Sequence, residues 1–74
     1  MNKERRKAVA TALATINQLR EDLEQIRDDE QEAFDNLPES LQATEKGDAM
    51  QEAISSLEDA INGIGEAESS IECL

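Results

Sequence analysis

Two ladders of apolar residues, spaced by threes and fours, run through this 74-residue chain, and its only proline stands between them. The first ladder is Val9, Leu13, Ile16, Leu19, Leu23, Ile26 and Ala33. The second is Met50, Ile54, Leu57, Ile61, Ile64, Ala67, Ile71 and Leu74. Such spacing lays each set along one stripe of a helix. Two stripes joined by a short connection predict an all-α fold: an antiparallel helical hairpin occupying residues 1–74 as a single domain. A lone hairpin covers only one side of each stripe, so the same pattern predicts self-association.

Size sharpens that expectation. A chain this short buries roughly 60% of its unfolded surface, and a single core is then marginal. Disulfides, metals and oligomerisation are the usual remedies. The chain has one cysteine, Cys73, and no histidine, which leaves neither an intrachain disulfide nor an ordinary structural zinc site. One Phe and no Trp or Tyr supply little bulk for an unusually dense monomer. Pairing of hairpins into a four-helix bundle, most simply a dimer, is the expected remedy. Its contacts would come from Leu13, Ile16, Leu23 and Ile26 on the first helix and Ile54, Leu57, Ile61 and Ile64 on the second.

The first helix is expected over about residues 3–34, with no Gly or Pro inside and good helix formers throughout. Its charges oppose its dipole. Lys3, Arg5, Arg6 and Lys7 crowd the N-terminus, while Asp28, Asp29, Glu30 and Glu32 sit near the C-terminus. Residues 35–46 form a corner. Pro38 cannot continue the helix and pushes Leu37 out of helical geometry. Asn36 or Leu37 is placed to cap a short turn that begins with Pro38. Leu37 and Leu41, four apart, would fold an apolar edge beside Phe34. The second helix is expected over about residues 47–72, starting from Thr44 as cap or from Asp48 and Gln51 as a capping box. Gly63 and Gly65 either admit a close neighbouring helix or loosen the last turns. The intact phase of Ile64 and Ile71 favours close packing.

Net charge is −11, with 18 acids against 7 bases. Residues 1–20 balance to +4 and the remainder to −15. So acidic a surface repels nucleic acid and anionic membrane, and it either suits a basic partner or only keeps a small helical protein soluble. No run of eighteen apolar residues provides a membrane span. The basic start lacks the unbroken apolar core of a secretory signal, and a lone thiol fits a reducing cytoplasm.

Little here points to catalysis. Without histidine, acid–base work would fall to carboxylates, and two thin helices offer no cavity in which to shift a carboxylate pKa. The run Asp28–Glu32 lacks the spacing and glycine of a calcium loop. Cys73 sits among negative charges, which disfavour a reactive thiolate. No cofactor, metal or catalytic residue is expected. The basic cluster either touches phosphate or pairs with Glu66, Glu68 or Glu72 across the hairpin, and the second reading is favoured.

The stretch EQEAFDNLPESLQATEKGDAMQEAISSLEDAI, Glu30–Ile61, resembles a recurring type of small acidic protein from bacteriophages and other bacterial mobile elements. These share an acidic EEQE-like run, a DNLPESLQ-like corner, a G-[DE]-A-M start and an AI-x-x-LE-x-AI helix. The likeness is close over this stretch and holds only in pattern elsewhere. It implies a helical hairpin acting inside a bacterial host cell and assigns no catalytic residue. A non-enzymatic binder or inhibitor of a host protein is the natural expectation by analogy, with nucleic-acid mimicry as one form of it. Candidate contacts are Asp28, Asp29, Glu30, Glu32 and Asp35, with Phe34, Leu37 and Leu41 at the corner. The alternatives are a phage structural or assembly part, and an oligomer that holds an anionic small ligand between basic clusters.

Overall fold

The computed structural model describes all residues, 1–74. Three helices follow in order: α1 (Lys3–Asp35), α2 (Glu39–Gln42) and α3 (Glu45–Glu72). α1 and α3 lie against each other as an antiparallel hairpin, and the molecule is a rod of 59 × 15 × 12 Å. The all-α hairpin expected from the ladders is the observed fold.

Capping explains where α1 begins. The Asn2 side chain accepts a hydrogen bond from the Arg5 backbone N–H at 2.8 Å, satisfying one of the orphan donors of the first turn. At the other end the Asn36 N–H reaches Glu32 O at 3.0 Å, and Pro38 stops the helix from continuing.

The corner differs from expectation in detail. Pro38 is itself the cap of α2, in extended geometry (φ −57°, ψ 146°). Its carbonyl accepts from the N–H groups of Leu41 (2.8 Å) and Gln42 (3.1 Å). Asn36 closes α1 and so does not cap the turn. α3 starts at Glu45, with Thr44, one of the two expected starts, at the cap position in extended geometry. The Thr44 hydroxyl, however, donates back to Leu41 O. Asp48 is the fourth residue of α3, too far in for a capping box.

Burial reveals the seam. On α1 the seam runs through the half-buried residues Val9, Leu13, Ile16, Arg20, Leu23, Arg27, Glu30 and Phe34, with Asn17 and Glu24 half-buried at its edge. Facing them on α3 are Gly47, Met50, Ile54, Leu57, Ile61, Ile64, Glu68 and Ile71. Both alternate threes and fours, the rhythm of coiled-coil packing. The α1 seam departs from the α1 ladder at three rungs: Arg20, Arg27 and Phe34 take the places next to Leu19, Ile26 and Ala33, and Glu30 fills a rung that the ladder skips. Long arginine stems can pack on apolar neighbours while their heads remain solvated. Among hydrophobic side chains only Ile54, 8% exposed, is buried.

Two expectations at the open end fail. α3 runs unbroken to Glu72, and a Cβ added at Gly63 or Gly65 would meet nothing within 4 Å. These glycines neither loosen the helix nor admit α1. Gly47 is the glycine that does: a Cβ there would lie 2.0 Å from Gln42 O, so only glycine lets α2 fold onto the start of α3. The basic cluster also finds no acid. Lys3, Arg5, Arg6 and Lys7 form no ion pair, and Glu68 is engaged by Arg20 instead.

Candidate functional site

The most constrained polar group in the hairpin is Glu68, 7% exposed. A carboxylate taken from water needs a partner. Arg20 supplies it from α1, its Nε donating to Glu68 Oε1 at 2.7 Å while Nη1 donates to Glu24 Oε1 at 2.7 Å. The two carboxylates hold the guanidinium more firmly protonated than usual, Glu68 contributing most. Arg20 and Glu24, but not Glu68, line a shallow open groove with Ile61, Gly65 and Glu66. Nothing in it encloses a ligand, and the Arg20–Glu68 contact reads as a structural clasp that fixes the register of the helices.

The corner is built as an ordered unit. Gln42 Nε2 donates to Phe34 O (3.2 Å) and Leu37 O (3.1 Å), tying α2 back to the end of α1. Phe34 and Leu37 are half-buried under this turn, while Leu41 stays 44% exposed. Of the acidic candidates, Asp28, Asp29, Glu32 and Asp35 are exposed and Glu30 is turned toward the seam. Three are partly engaged on their own helix: Asp28 by Arg27 (3.1 Å), Asp29 by Gln25 (2.9 Å) and Asp35 by Gln31 (3.0 Å). No three of the chain's carboxylates and its thiol converge as metal ligands, and no helix is long and apolar enough to cross a membrane.

Charge divides the rod at the Arg20–Glu68 clasp. On the corner side, residues 21–65 hold fourteen acids against Arg27 and Lys46, a balance of −12. On the open side, residues 1–20 and 66–74 hold five bases against four acids, a balance of +1.

The two flanks of the hairpin are also unlike. An antiparallel helix pair has an approximate two-fold axis through its flat face, so equivalent positions of both helices share a flank. Positions just after a seam residue are mostly polar: Asn17, Glu24 and Gln31 on α1, and Gln51, Glu58, Gly65 and Glu72 on α3. Glu24 and Gly65 indeed line one groove. On the other flank, the positions just before the alternate rungs Leu13, Arg20, Arg27 and Phe34 on α1 and Ile54, Ile61 and Glu68 on α3 are apolar: Ala12, Leu19, Ile26 and Ala33, then Ala53, Ala60 and Ala67, with Leu74 continuing the spacing and Lys46, before Gly47, the charged end of the stripe. Leu19 is 49%, Ile26 52% and Leu74 59% exposed.

Of the residues expected to serve self-association, Leu13, Ile16, Leu23, Ile54, Leu57, Ile61 and Ile64 lie on the seam within the chain, and Ile26 alone is open. Leu19, its neighbour on the flank, was overlooked because the ladder merges two stripes. The seven-residue spacing of Ala12, Leu19, Ile26 and Ala33 is the signal that separates them. Comparison with known protein families, with curated proteins and with solved structures finds no match.

Proposed function

We propose that this chain is a non-enzymatic protein-interaction module that binds a partner through its corner end. The observation carrying this reading is the −12 balance of the corner side, which ends in a fixed turn that leaves Leu41 exposed. An apolar contact ringed by acids suits a basic face with a small apolar pocket, including a face that otherwise holds nucleic acid. The rod's open grooves give a substrate no water-excluded space, which favours binding over chemistry. The phage-like stretch Glu30–Ile61 includes this corner and suggests a host protein as the target.

Capture from host cells on the tagged chain, followed by mass spectrometry, tests the reading. A specific host protein is expected with the native sequence. It should be lost when Asp28, Asp29, Glu32 and Asp35 are reversed to Lys and Leu41→Asp is added, with helicity unchanged. Equal recovery with both chains would contradict corner binding.

A further inference from the structure

We infer that the apolar flank is covered by a second copy of this chain, the two rods lying antiparallel. This does not rest on partner binding at the corner, since the flank residues Leu19 and Ile26 are not among the corner contacts.

Surface area supports a partner there. The chain exposes 5410 Å², whereas a compact monomer of 8.2 kDa exposes roughly 4,500 Å². The excess, about 900 Å², matches what one partner buries in a standard interface. The flank is where that excess is apolar, running from Ala12 to Ala33 on α1 and from Ala53 to Leu74 on α3.

The stripe is self-complementary. Its midpoint falls between Leu19 and Ile26 on α1 and between Ala60 and Ala67 on α3. The Arg20–Glu68 contact puts these midpoints at nearly one level along the rod. One two-fold axis across the flank therefore serves both helices, as an isologous interface requires. It seats Leu19 on Ile26 of the other copy and Ala12 on Ala33. On α3 it brings Ala60 to Ala67, with Gly63 at the rim and open to a neighbour.

Charge selects the direction. Side-by-side parallel rods would seat Leu19 and Ile26 over the small residues Ala67 and Ala60 of the other copy, but would also place two −12 halves together. The antiparallel arrangement sets each −12 half beside a +1 half. It carries Lys3, Arg5, Arg6 and Lys7, which lack ion-pair partners in the chain, toward Asp35 and Glu39 of the other copy. Each α1 then has opposite charge beside the end where its own charges oppose its dipole.

Sedimentation equilibrium of the full chain at micromolar concentration tests the pairing, with circular dichroism monitoring helicity. The native chain is expected at twice 8.2 kDa. Leu19→Lys and Ile26→Glu, each alone, should raise the dimer dissociation constant by about tenfold or more, because each buries an unpaired charge. Combined in one chain they should restore much of the affinity, since the antiparallel axis sets Lys against Glu. A native mass of 8.2 kDa would overturn the dimer. Single variants that dimerise like the native chain would overturn the flank. A double variant no better than the singles would overturn the antiparallel direction.

Discussion

Arg20 and Glu68, forty-eight positions apart in sequence, meet at 2.7 Å across the hairpin, and they are the only ion pair joining α1 to α3. The acid is buried and the base is about one-third exposed. Removing the base strands a carboxylate, whereas removing both leaves an apolar contact. Arg20→Leu alone should therefore melt at lower temperature than the native chain. Arg20→Leu with Glu68→Leu should recover the loss and match or exceed it. Thermal circular dichroism on the four chains of this cycle gives the answer. Purely additive shifts would show that the pair is not coupled.

The glycines sort into two kinds. Gly47→Ala forces a methyl group onto Gln42 O, where the free space ends at 2.0 Å. It should cost about 1–3 kcal/mol, the range for overpacking. Gly65→Ala meets open space and removes an entropic burden from a helix interior, so it should stabilise by up to about 1 kcal/mol. Urea titrations of both variants would show opposite shifts in midpoint.

Gln42 holds the corner by donating twice from one amide. Gln42→Glu preserves shape and removes both donors, setting an anion against two carbonyls. We expect a loss of about 1–2 kcal/mol at neutral pH. The new carboxyl gains a donor only when protonated, so its folded pKa lies above its unfolded value. The variant's deficit should shrink as pH falls through that folded pKa. A deficit independent of pH would argue against the two bonds.

Ile54 is the one buried large apolar side chain. Because the rod is thin, truncation should sit at the lower end of the core range, and Ile54→Ala should cost about 2–3 kcal/mol. Leu57→Ala, at a half-buried rung, should cost less.

Much of this architecture is legible in the residues. Pro38 between two ladders dictates a hairpin, and Thr44 marks the start of α3. Charge placement was harder to read. Glu68 sits where a ladder drawn on apolar residues passes through Ala67, and nothing local says that a carboxylate will be buried. Its partner Arg20 comes from the far end of the chain, so the clasp exists only in tertiary structure. Leu19 and Ile26 keep the helical spacing of the ladder, and spacing alone does not tell the flank from the seam. Only the arginines beside them, which take the seam with their stems, push them outward. The role of Gly47 likewise depends on where α2 lands, which the sequence near it does not reveal. The acidic corner residues are placed much as composition suggests, with Glu30 the exception because it falls on a seam rung.

The claim on which the account depends most is that Leu19 and Ile26 belong to an interface between copies. Melting temperature against protein concentration is the most direct measurement, because association stabilises by mass action. The account predicts that the native midpoint rises with concentration and that Leu19→Lys flattens this dependence. A native midpoint that stays constant over a hundredfold dilution, with a sharp transition throughout, would contradict it.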